Sequence, residues 1–262
     1  MKKTYIRAIL NVMKKALLLS LLLFVFCFQS RAQEKKDTAM FIPTVAAGYG
    51  YFLPEADMVK RFGENSSLFL NIDFKLPSNW MVGVNGSYIF GKEVKDNPFY
   101  YITKDNVFIN TDGDQADVRM YERGFTVSGT FGRVFAKSKK RPNSGFIANV
   151  GVGFIQHKIR IEVIGNNVPQ LDKNYKKGYD RLTNGLLLSE NVGYLFLSNN
   201  RLVNFYVGLE CMQGFTSSKR DYDFDKMKPD TQKRIDVLTG VKVAWILPLY
   251  KQVVKANSYY IY

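Results

Sequence analysis

The side chains able to do chemistry are few in this sequence, and their spacing limits what they could do. His157 is the only histidine. A nucleophilic hydroxyl needs a base within reach, yet His157 is followed by Lys158 and Ile159, with no Ser or Thr beside it. Ile155, Ile159, Ile161 and Val163 share its parity, as if the alternation of the segment flips there, so it reads as an ordinary strand residue near an outer rim. One histidine with Cys211 cannot build a zinc site. Asn110, Asp112, Asp114 and Asp117 are spaced somewhat like a calcium loop, but Gln115 stands where Gly is needed and no Glu occupies the twelfth position. They read as a solvated acidic loop. No catalytic residue, metal or cofactor is therefore expected.

What remains are charges embedded in segments of alternating polarity, namely Asp73, Lys75, Glu190, Glu210 and Lys242. The segments that position them are best seen at Leu68, Leu70, Ile72, Phe74 and Leu76, with Asn71, Asp73 and Lys75 between. Period two means a strand with one greasy and one wet face. Similar strands are predicted over Pro43 to Phe52, Leu68 to Leu76, Trp80 to Phe90, Gly124 to Phe135, Gly145 to about Ile164, Leu182 to Phe196, Arg201 to Phe215 and Ile235 to Tyr250. Connections alternate between short turns, such as Pro77-Ser78-Asn79 and Ser198-Asn199-Asn200, and long polar stretches over 54–67, 92–123, 165–181 and 216–234. That is an up-and-down meander with one plain and one decorated end.

The N-terminus bears on compartment. Residues 1–32 hold Lys2, Lys3, Arg7, Lys14, Lys15 and Arg31, no acid, and the apolar run Ala16 to Phe28, too short to span a bilayer. Ser30-Arg31-Ala32 supplies the small residues of a signal-peptidase site, so a secretory signal over 1–32 is expected, with Met13 as an alternative start. Cys27 follows Phe26, not the small residue a lipoprotein needs. The full chain carries a net charge of +14, of which the segment's six basic residues account for all but +8. With acids interleaved, a nucleic-acid partner has little support, and attraction to anionic lipid head groups accounts for the excess. Cys211 alone remains beyond the signal, so no intrachain disulfide can form there.

A soluble sandwich or barrel would also alternate, but its polar face would be rich in Lys and Glu. Here that face is Gly, Ser, Thr and Asn, as in Gly83, Asn85, Ser87 and Gly91, or Asn149, Gly151 and Gly153. Such residues suit a narrow packed interior. Several runs reach the 9–11 or so residues of a tilted membrane strand. Trp80, Phe135, Phe196, Phe205, Trp245 and Tyr250 fall near the plain end, and Tyr49, Tyr51, Tyr88, Phe90 and Phe125 near the other, as two interfacial girdles. The fold class expected is all-β: an eight-stranded antiparallel up-and-down transmembrane β-barrel over 43–250 with short periplasmic turns and long extracellular loops. A periplasmic tail over 33–42 and a C-terminal tail over 251–262 flank it. Asp37-Thr38-Ala39, in the first tail, matches a short O-glycosylation site of Bacteroidota exported proteins.

On these features the chain resembles the small eight-stranded outer-membrane barrels of Gram-negative bacteria, of the OmpX and OmpA transmembrane-domain type. Its closing segment Gly240-Val-Lys-Val-Ala-Trp-Ile-Leu-Pro-Leu-Tyr250 is most similar to uncharacterised Bacteroidota barrels. The resemblance spans the mature chain and implies fold and location. It departs from the pattern in continuing for twelve residues past Tyr250. The His-x-Ser arrangement of the barrel lipid A deacylases is missing at His157.

Eight strands leave room only for side chains, so the interior charges are expected to pair with one another. Glu210 and Lys242 fall at similar depth on adjacent strands, and Asp73 and Lys75 form a second inward set. By parity Glu190 shares a face with Leu186, Leu188, Val192 and Tyr194, and a bulge after Leu186 is expected to turn it inward. The functional expectation is a non-enzymatic outer-membrane protein, structural or accessory within a cell-envelope assembly. Its surroundings are outer-membrane lipid and lipopolysaccharide; its partner is an envelope protein or surface polysaccharide met by the loops. Phe99, Tyr100, Tyr101, Phe108, Tyr222 and Phe224 are the expected contact residues, since exposed aromatics mark contact surfaces. The alternative is a narrow ion or small-solute channel working through the interior charges.

Overall fold

The computed structural model describes residues 40–100, 102–103, 107–136, 143–164, 168–198 and 203–249. The expected signal, both expected tails apart from 40–42, and Tyr101 lie outside them. Among the described residues there are nine strands: β1 (Ile42–Ala56), β2 (Asn65–Lys75), β3 (Trp80–Gly91), the two-residue β4 (Phe108–Ile109), β5 (Gln115–Ala136), β6 (Gly145–Ile164), β7 (Thr183–Leu197), β8 (Asn204–Ser218) and β9 (Lys233–Pro248). All pairings are antiparallel, β1 pairs with β9 and β3 with β5, so eight strands close into a barrel while β4 rides on the outer end of β5. Closure removes the free edges of the barrel wall, while the outer ends of β5 and β6 extend past their other neighbours.

The greasy positions point outward. Leu68 is 57% exposed, Val152 58% and Leu209 61%, and the belt continues through Val84, Val127 and Val243. Rings cluster at its lower margin, where Trp80 stacks on Phe131 at 4.8 Å and Phe196 on Phe205 at 4.9 Å. An apolar band of this extent around a closed sheet has no stable partner in water and fits the hydrocarbon of a bilayer.

Two expectations about β5 and β6 need correction. The connection expected over 92–123 contributes Gln115–Arg123 to β5, so β5 and β6 run 22 and 20 residues and stand beyond the belt as a ribbon. Side-chain direction in β6 never flips: its pairings with β5 and β7 are unbroken, and Ile155, His157, Ile159 and Ile161 all face inward with Gly151. What inverts is the surroundings. Past Phe154 the outward residues become Gln156, Lys158, Arg160 and Glu162, which face water, and the interior turns apolar as in a soluble protein.

The interior is consequently layered. At the plain end Ile42, Val134, Ile147, Leu195, Leu197 and Ile246 pack together. At the decorated end Phe52, Ile89, Ile155, Leu187, Met212 and Leu238 join loop residues Met58, Phe62, Phe99, Phe108 and Leu171 in one core. Between them lies a polar layer around a cavity of about 40 Å³, lined by Asn71, Asn85, Asn149, Asn191, Glu210 and Lys242 among others.

Candidate functional site

The interior charges fall in three places. In the polar layer, Lys242 Nζ lies 3.1 Å from Glu210 Oε2, with both side chains buried, and 3.9 Å above the Phe69 ring. Adjacent strands bring them together, because Gly208 pairs with Lys242 and Glu210 with Gly240. Asp73 and Lys75 both face inward but do not meet. The Thr130 hydroxyl donates to Asp73 at 3.4 Å, whereas Lys75, fully buried near the plain end, donates to Asn143 Oδ1 at 3.0 Å.

Glu190 is placed otherwise than expected. No bulge interrupts β7: Val150 pairs with Glu190 and Glu190 with Cys211 in unbroken ladders. Parity therefore holds, and Glu190 stands on the outer face among Leu186, Leu188, Val192 and Tyr194. A strand paired residue by residue with both neighbours from Thr183 to Leu195 leaves no room for an extra residue.

The densest cluster was not evident from the sequence. The connection after β1 forms a single 3₁₀ turn, Met58–Lys60, that folds into the barrel mouth and buries Met58, Arg61 and Phe62. Arg61 pairs with Asp236 on β9. The other carboxylate oxygen accepts from His157 Nε2 at 2.9 Å and from the Thr216 hydroxyl at 2.6 Å, while the Thr183 hydroxyl sits 3.2 Å from the His157 ring nitrogens. The Phe62 ring meets the imidazole edge-on at 5.5 Å. Thr183, His157 and Asp236 have the connectivity of a hydroxyl, base and acid relay. All three are at most 1% exposed, and Arg61 and Phe62 cover them, so no substrate reaches the hydroxyl. The chemistry of the cluster is anchoring: four elements are tied to one carboxylate. Glu122, also buried, accepts from Asn65 at 3.1 Å on the opposite wall. Strand parity could have placed Glu122, had β5 been extended, but Arg61 comes from a loop and obeys no period.

Above the mouth the long connections interlock. Arg181, 5% exposed, binds Asp223 and Asp225 at 2.7 Å and Asp96 at 3.2 Å, joining the connections after β3, β6 and β8. Arg220 holds Asp180 in a bidentate pair. Burial pushes the Asp223 carboxyl above its ordinary range against the pull of Arg181, and burial followed by Asp225 raises the Tyr179 phenol. Phe108, Phe99, Tyr179 and Phe224 touch ring to ring at 5.0–5.5 Å. Phe224 lies against Gly178, where any side chain would strike its ring.

This corrects part of the expected contact surface. Phe99 and Phe108 are buried as the core of the cap, and Phe224 is half-buried, because each finds aromatic partners within the loops. Tyr100 and Tyr222 are exposed. The acidic stretch from Asn110 is a hairpin tip. Asn110 Oδ1 accepts from the backbone N–H groups of Asp112 and Asp114, and Gly113 takes a positive φ of 88°. Asp117 pairs with Arg119.

Removing the Arg181 charge tests the cap. In an Arg181→Met variant, trypsin cleavage after Lys226 is expected to rise at least about tenfold, matching a loss of roughly 1.5–3 kcal/mol per charged hydrogen bond. An unchanged cleavage rate would show that the aromatic contacts alone hold the loops.

No protein-family model matches the chain, and no curated protein matches it. Among solved structures it is similar to Ail, the attachment invasion locus protein of Yersinia pestis in complex with the heparin analogue sucrose octasulfate, at 12% identity and a TM-score of 0.38 over 79% of this chain and 99% of that one. It is also similar to Neisserial surface protein A, at 10% identity and a TM-score of 0.32 over 78% and 94% of the two chains.

Proposed function

We propose that this chain is a non-enzymatic protein of the bacterial outer membrane that presents a rigid loop cap to a partner within a cell-envelope assembly, either another envelope protein or a surface polysaccharide. The observation that carries this reading is the contrast between interior and cap. Apolar layers close the described interior above and below the polar cavity, which leaves the interior charges nothing to conduct. The loops, by contrast, are ordered by ion pairs well beyond what closing a barrel needs, and they hold Tyr100, Tyr175 and Tyr222 exposed. Immobilised aromatics bind at low entropic cost. The apolar belt supports the membrane placement, and the closing segment's likeness to Bacteroidota barrels suggests the kind of envelope.

Photo-crosslinking in intact cells tests the reading. A photoreactive residue at Tyr222 or Tyr100 is expected to capture one discrete envelope species. The same group at buried Phe99 should capture none. Equal capture from all three sites, or none from any, would overturn it.

A further inference from the structure

Above the level of Trp80, where Arg133 lies over the Trp80 and Phe135 rings of the lower girdle, the outward residues of β1, β2, β3, β5 and β6 carry no charge up to the opposite girdle. The polar exceptions gather on the wall formed by β7, β8 and β9. Glu190 pairs across the sheet with Cys211 and Cys211 with Thr239, so carboxyl, thiol and hydroxyl form one row across three strands. Gln213 lies two positions along β8, its amide 4.0 Å from the Cys211 sulfur, and the Thr239 hydroxyl donates to the same sulfur at 3.8 Å. Glu190 has no hydrogen-bond or ion-pair partner among the described residues. Around the row stand Leu188, Val192, Leu209 and Val241. A carboxyl group aimed at hydrocarbon is costly and marks a contact or a function.

We infer that this wall is a lateral interface between two copies of the chain within the membrane. The row has the symmetry such a contact requires. Its acceptor, Glu190, is on one side, its donor, Thr239, is on the other, and Cys211 is at the centre. A two-fold axis normal to the membrane and passing by Cys211 sets the two thiols side by side. It also brings each Glu190 to the β9 side of its neighbour, which carries Thr239, so one patch satisfies itself. In lipid, hydrogen bonds between spans and close packing are what hold neighbours together.

The inference rests on the membrane reading, and one experiment separates the two. The chain bearing Cys27→Ala is reconstituted in phosphatidylcholine vesicles, floated, and treated with copper phenanthroline. Two Cys211 thiols then become one disulfide, losing two protons and passing two electrons to Cu(II). The expected result is a disulfide dimer forming faster than from a cysteine at Val84, on the opposite wall, in a Cys211→Ser background. Glu190→Leu should float and fold as before yet dimerise about tenfold less, since two symmetry-related hydrogen bonds are lost. Failure to float would overturn the membrane reading. Flotation with Cys211 no faster than the Val84 position, or with Glu190→Leu as dimeric as the parent, would overturn the dimer.

Discussion

Replacing Asp236 with leucine is expected to lower the unfolding free energy of the barrel by about 3–5 kcal/mol, the range for stripping one partner from a buried ion pair. The carboxylate accepts from Arg61, His157 and Thr216 at once, and none of the three has water to turn to. The loss should appear as a lower urea midpoint with an unchanged slope, because the surface exposed on unfolding is the same. Arg61→Met should cost less, about 1–3 kcal/mol, since Asp236 keeps two donors while Met58 and Phe62 still fill the mouth. Its first sign should be trypsin cleavage after Lys60, as the 3₁₀ turn loosens locally before the barrel does. The two changes together should cost less than their sum, the mark of groups that interact directly. Strict additivity would mean that Arg61 and Asp236 do not sustain each other in solution.

That cluster also marks where the sequence stops being legible. Period-two alternation finds all eight barrel strands, β5 nine residues short at its outer end and the others to within a few residues, because lipid on one side and a packed lumen on the other impose opposite demands on successive side chains. At Phe154 the demand on the outside changes from lipid to water, and the residue pattern inverts although the backbone does not. Read as pattern alone, Ile155 to Val163 looks like a change of face. Read with the pairing, it is a change of solvent. The same confusion hid Glu122, which belongs to the water-surrounded stretch of β5. Arg61, Arg181 and Phe99 come from connections where no period exists, and only the fold brings them to their partners. Glu190 shows the reverse case: parity alone places it on the outer face, and β7 carries no bulge.

The second large effect concerns Lys242 and Glu210. Lys242→Met should destabilise the barrel by about 3–5 kcal/mol, for the ammonium is what makes a carboxylate tolerable in the polar layer. Glu210 is 5% exposed and pairs across the sheet with Gly240 on β9 and Asn191 on β7, with Gly208 two residues away on its own strand. The two glycines supply no side-chain donor, and the neutral Asn191 amide cannot balance the charge. The double variant Lys242→Met and Glu210→Leu removes both charges and should recover most of the loss, because an apolar pair of similar volume is often neutral or stabilising where an ion pair was buried. Methionine keeps a chain over the Phe69 ring, which Lys242 covers at 3.9 Å. A single variant as stable as the parent would mean that water reaches Glu210 through the cavity it lines. A double variant no better than the single would instead place the loss in packing on Phe69, with the two charges contributing nothing as a pair.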